Sequence, residues 1–92
     1  MIITKILISK FAEKQLKKIP QAIKESLKYW AETVERIGIR ETRKLPGYHD
    51  EPLRGSRKGQ RSIRLNKSYR AIYVETVEGI EITVIEVNKH EY

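Results

Sequence analysis

The chain contains no cysteine, which rules out a disulfide framework and any thiolate metal site. Its two histidines, His49 and His90, are too few for a zinc cluster, so neither a structural metal nor another cofactor is expected. No run approaches 18 consecutive apolar residues, and the short apolar stretch Met1–Ile8 carries a lysine and no small-residue cleavage site. A soluble cytoplasmic protein with no membrane partner is the expectation. Internal repeats and low-complexity segments are also missing. The most informative absence is local: from Pro52 to Arg70 there is no acidic residue, while Arg54, Arg57, Lys58, Arg61, Arg64, Lys67 and Arg70 all fall there. The chain has 19 Lys and Arg against 12 Asp and Glu, so removing those seven leaves 12 basic and 12 acidic residues elsewhere. The whole net charge of +7 is therefore local. A strip of one sign repels itself and is usually kept because a polyanion neutralises it, which makes nucleic acid the first candidate partner.

What is present describes one domain spanning residues 1–92, with 39% hydrophobic and 34% charged residues, enough for one core. Met1–Ile8 is rich in β-branched residues and ends at Ser9, a good N-cap, so a strand is expected to run straight into a helix from Lys10 to about Ile19. Pro20 stops that helix or restarts the chain as the first turn of the next. The next carries the apolar stripe Ile23, Leu27, Trp30, Ala31, Val34 and Ile37, with Gly38 as its left-handed terminator. From Ile39 to Gly59 the periodicity fades, and a short helical turn followed by an ordered loop is expected. Three strand-like runs follow, Gln60–Leu65, Tyr69–Val77 and Ile80–Val87, separated by Asn66–Ser68 and Glu78–Gly79. The order β-α-α-β-β-β predicts an α+β domain: an antiparallel sheet, two N-terminal helices on one face, the other face at least partly open.

A three-residue loop at Asn66 pairs Leu65 with Tyr69 and sets Arg64 directly opposite Arg70. Like charges opposed across strands destabilise a hairpin, and the pair makes sense if a phosphate sits between the two guanidinium forks, although two solvated surface arginines fit the same pattern. The tail Asn88–Tyr92 follows the last strand, so His90 and Tyr92 can approach those arginines as a proton donor and a stacking ring. Glu51 adjoins the strip and can accept a proton from a nucleophile, or can serve as an ion-pair partner of Arg54 or Arg57; His49 is a second candidate base. These parts suffice for a metal-independent ribonuclease, because RNA carries its own nucleophile. A base takes the 2′-hydroxyl proton, cations stabilise the phosphorane, and an acid protonates the departing 5′-oxygen.

Glu51-Pro-Leu-Arg-Gly55, Lys58-Gly59, Ser62-Ile-Arg-Leu-Asn66 and Tyr69-Arg-Ala-Ile-Tyr73, with the terminal Lys89-His90-Glu91-Tyr92, resemble the pattern of the RelE/ParE superfamily of toxins from type II toxin–antitoxin modules, within it the HigB-like branch. The resemblance covers nearly the whole chain. It implies the RelE-like microbial RNase fold, ribosome-dependent mRNA cleavage that inhibits translation, and silencing by a cognate antitoxin, in the HigB case a HigA-like helix-turn-helix protein. By matching motif, Glu51 resembles the general base of the YoeB-type toxins, Arg70 the transition-state arginine and His90 the general acid, with Arg64 a second phosphate contact. Tyr92 shares the candidacy for the acid, because HigB-like toxins often end in Asp-Tyr-His and this chain does not. His49, Arg54, Arg57, Lys58, Arg61 and Lys67 are left to bind the RNA backbone. Two alternatives share the pattern in part: a ParE-like inhibitor of DNA gyrase on the same fold, and a non-catalytic RNA-binding module. The co-occurrence of Glu51, Arg64, Arg70 and His90 favours the nuclease.

Overall fold

The computed structural model describes residues 4–89. The first strand, β1 (Lys5–Ile8), leads into α1 (Lys10–Leu16). Ser9 caps that helix: its Oγ accepts a hydrogen bond from Ala12 N at 3.1 Å and donates one to Ile85 O at 3.2 Å. The helix stops three residues short of the expected Ile19, because the last turn closes with shorter i→i−3 bonds, and Pro20 disfavours helical geometry at the residue before it. Pro20 is the N-cap of α2 (Gln21–Ile37), which buries Ile23, Leu27, Trp30 and Val34 of the expected stripe. Gly38 ends it at φ 86, ψ 160, a region that is essentially restricted to glycine. A five-residue helix, α3 (Ile39–Arg43), follows, then a 3-10 turn at Pro46–Tyr48, a two-residue strand β2 (Glu51–Pro52) and a second 3-10 turn at Gly55–Arg57.

The three long runs form β3 (Arg61–Arg64), β4 (Tyr69–Val77) and β5 (Glu81–Lys89), and they pair as the expected antiparallel meander. The whole sheet, in the order β1-β5-β4-β3-β2, is nevertheless mixed rather than antiparallel, because β1 lies parallel to β5 with Lys5 opposite Glu81 and Ile8 opposite Val84. A hydrophobic pattern identifies an extended segment and carries no direction. Direction here follows from α1, which packs along β5: Ser9 N donates to Val84 O at 2.9 Å, and Gln15 Oε1 accepts from Val87 N at 2.6 Å.

The helices cover one face of the sheet. Trp30 is fully buried there against Tyr73, ring centroids 5.2 Å apart, in a cluster with Leu27, Val34, Ile63, Ala71, Val84 and Val87. Val84 and Val87 are three residues apart, yet both join this cluster. In a regular strand they would face opposite ways. A register shift between Ile72 and Tyr73 makes it possible: Ile72 pairs with Glu86 and Tyr73 with Val84, so Ile85 is an extra residue. That bulge turns Glu86 and Asn88 onto the open face. Among the described residues, no helix is long and apolar enough to cross a membrane.

Candidate active site on the open sheet face

The open face is built from cross-strand rungs. Ser62 pairs with Ile72, which pairs with Glu86, and Arg64 pairs with Arg70, which pairs with Asn88. The Arg64–Arg70 register is the one expected from the hairpin. It is held by a turn in which Asn66 Oδ1 accepts from Ser68 N at 2.7 Å and Tyr69 N at 2.8 Å, an Asx turn that fixes loop length and hence register.

Arg70 lies at the centre. Its Nη1 donates to Ser62 Oγ at 2.9 Å and to Glu51 Oε1 at 3.1 Å. Glu51 reaches this place because β2 pairs with β3, setting Glu51 opposite Ser62. Its side chain stays 57% exposed, so it remains open to another partner. Beside Arg70 is a hollow of about 310 Å³ floored by Ile72 and walled by Leu53, Arg57, Ser62, Glu86 and Asn88. Ile72 is buried yet stands outside the core cluster, covered by these side chains rather than by the helices.

Two placements differ from the expected arginine pair. Arg64 does not line this hollow; it lines a separate cleft below α2. Arg57, expected to bind the RNA backbone, lines the hollow, because the 3-10 turn at Gly55–Arg57 folds back over the sheet. Its Nη2 donates to Glu86 Oε1 at 2.8 Å and its Nη1 to Gln60 Oε1 at 2.9 Å, while Asn88 donates to the other oxygen of Glu86. Glu86 and Asn88 thus join the site without having been identified from the sequence. A two-residue alternation through β5 does not put them there, and the bulge that does left no recognisable signal in the sequence.

The strip is also partly neutralised at home. Arg57, Arg61 and Arg70 pair with Glu86, Asp50 and Glu51, all acids outside Pro52–Arg70. Among the described residues Arg54, Lys58, Arg64 and Lys67 make no ion pair, and Arg54, Lys58 and Lys67 are exposed. His49 is exposed with a left-handed backbone at φ 45. His90 and Tyr92 lie outside the described residues. Lys89, the last described, pairs with Tyr69 next to Arg70. Among the described residues, no three His, Cys, Asp or Glu side chains converge as metal ligands would.

On the opposite face the side chain of Asp50, next to Glu51 in sequence, is only 1% exposed. It accepts from Arg61 Nε at 2.6 Å and from the Tyr73 hydroxyl at 2.5 Å, and Arg43 Nε donates to that same hydroxyl at 3.0 Å. Arg43 also binds Glu75, whose other oxygen accepts from Gly79 N at 2.9 Å. Burial, and then the bond to Asp50, push the Tyr73 hydroxyl far above the usual phenol range. Burial opposes ionisation of Glu75, but the bonds from Gly79 and Arg43 outweigh it and hold the carboxyl below its ordinary value.

Neither a family model nor a curated protein sequence matches this chain. Solved structures do. It is 21% identical to the toxin–antitoxin complex RelBE2 from Mycobacterium tuberculosis, with a TM-score of 0.71, covering 97% of this chain and 100% of the other. It is 19% identical to the archaeal RelE–RelB complex from Pyrococcus horikoshii, with a TM-score of 0.72 and 96% of each chain covered. It is 24% identical to a YafQ variant from E. coli, with a TM-score of 0.69, covering 95% of this chain and 93% of the other. The mixed five-stranded sheet with helices packed on one face is the RelE-like fold, the architecture that this chain shares with toxins of the RelE, YoeB and YafQ types.

Proposed function

We propose that this chain is the toxin of a type II toxin–antitoxin module and an endoribonuclease that cuts mRNA on the ribosome. The observation that carries this reading is Arg70 held between Glu51 and Ser62 at the edge of a hollow on the open sheet face. In the proposed reaction Glu51, or His49, takes the proton of a ribose 2′-hydroxyl, and that oxygen attacks the adjacent phosphorus. Arg70 carries the charge that builds on the phosphorane oxygens, with Arg57 or Arg64 as a second phosphate contact. The phosphorus–5′-oxygen bond then breaks, His90 or Tyr92 protonates the leaving oxygen, and a 2′,3′-cyclic phosphate remains. RNA supplies the nucleophile, so the cycle calls for no metal. Arg54, Lys58 and Lys67 are read as docking charges on the RNA backbone, with Arg61 assigned to the fold through Asp50.

Glu51 and Arg70 neutralise one another in the free protein, and a phosphate that takes over the guanidinium frees the carboxylate for its proton. The fold neighbours include complexes with antitoxins, which supports a cognate antitoxin as partner here; an acidic segment covering the open face would silence it. Primer extension on a reporter message in a translating extract tests the proposal. New 3′ ends within the reading frame are expected. Arrested translation with intact transcripts, or a change in DNA supercoiling that precedes arrest, would assign the fold to another target.

A further inference from the structure

A second concavity lies beyond Arg64. It is a cleft of about 560 Å³ between the exposed flank of α2 and the turn at Pro46–Tyr48, within the roughly 300–1,000 Å³ of small-ligand sites. Two aromatic rings line it, Tyr29 and Tyr48. Tyr29 is 65% exposed and lies outside the core cluster and its packed neighbours. Small residues, Ser26 and Gly47, keep the space between the walls open, and a Cβ on Gly47 would meet nothing within 4 Å. Arg64 lines this cleft too. Because Arg64 is the cross-strand partner of Arg70, the cleft begins one strand away from the proposed reacting centre.

The chemistry of the lining separates a base from a phosphate. The hollow at Arg70 brings arginines and carboxylates together with no aromatic ring in its lining, whereas this cleft offers one guanidinium, the exposed ring of Tyr29, the half-buried ring of Tyr48 and the carboxylate of Glu25. Aromatic faces stack on any base, and a carboxylate accepts from base amino groups. We infer that the cleft binds a single-stranded RNA base flanking the scissile phosphate, stacked against Tyr29 and Tyr48, with Arg64 holding the phosphate that joins it to the reacting nucleotide. The inference rests on the nuclease reading and adds to it a site that fixes which nucleotide is presented to Arg70. It also gives each of the two arginines opposed in one hairpin a phosphate of its own, one beside each concavity.

The probe is a fluorescein-labelled 12-nucleotide RNA carrying 2′-fluoro sugars throughout, which removes the attacking hydroxyl, together with the same backbone made abasic. Binding of the full chain is followed by anisotropy. Tyr29→Ala is expected to weaken binding of the base-bearing oligomer roughly five- to hundredfold and to leave binding of the abasic oligomer unchanged. Tyr29→Phe, which keeps the ring, is expected to bind like the wild type. Equal binding by wild type and Tyr29→Ala would overturn the inference, as would an equal loss on both oligomers. If the wild type cuts messages while Tyr29→Ala binds normally, the base site alone falls. If the wild type neither binds the oligomers nor cuts messages, the nuclease reading falls with it.

Discussion

Asp50 and Glu51 are adjacent carboxylates with opposite situations. The Asp50 side chain is 1% exposed on the helix-covered side, shared by Arg61, Tyr73 and, at 4.0 Å, Arg43. Glu51 is 57% exposed on the open side, bound to Arg70 alone. Successive residues of an extended segment point to opposite faces, so the dipeptide at the entry to β2 supplies each side of the sheet with its acid. The buried acid has no free capacity to give to a substrate and ties β2 to the rest of the fold. The exposed acid contributes little to stability, since an ion pair open to water is worth about 0–1 kcal/mol, and can exchange its arginine for a new partner. Fold and chemistry are thus separated by a single peptide unit, and substitutions on the two sides should fail in different ways.

The largest contrast is expected at Glu51. Glu51→Gln keeps the shape and removes the proton acceptor, so cleavage should fall by about a hundred- to ten-thousandfold while the unfolding free energy measured in urea stays within about 1 kcal/mol of wild type. Normal cleavage in this variant would transfer the base to His49. Next in size, Asp50→Ala should cost about 3 kcal/mol of stability in the same unfolding experiment. This is the low end for breaking a buried pair, because Arg43 and Arg61 keep partial access to water. A smaller loss, about 1 to 3 kcal/mol, is expected for Tyr73→Phe, which removes a hydroxyl that both donates to Asp50 and accepts from Arg43.

The smallest effect is on acid stability. Glu75 titrates lower in the folded protein than the ordinary 4.5. Its contribution is therefore complete above pH 4.5 and is lost as the pH falls through the lower folded value. Glu75→Gln should remove that part of the acid loss in unfolding followed from pH 6 to pH 2, leaving the remaining slope to other groups.

The same division decides what could be read from the sequence. The hairpin register was legible because Asn66 fixes the turn locally, and α2 was legible because its stripe is long and uninterrupted. The parallel placement of β1 was hidden, since strand direction depends on where α1 must pack and not on the strand's own residues. Glu86 and Asn88 were hidden by the bulge at Ile85, which breaks the alternation used to assign faces. Arg57 and Arg61 looked alike as members of a basic strip. Only the fold-back of the turn at Gly55–Arg57 and the burial of Asp50 send one to the hollow and the other to the core side. The strip is a property of composition, whereas its division into paired and unpaired cations is a property of topology.

The most direct test of the separation is primer extension on a reporter message with Arg70→Ala in place of the wild type, using protein whose unfolding midpoint has been measured. In-frame cuts are expected with the wild type and a loss of about a hundred- to a thousandfold with the variant, at a midpoint close to wild type. Undiminished cutting by folded Arg70→Ala would contradict the claim that the open face around Arg70 carries the chemistry.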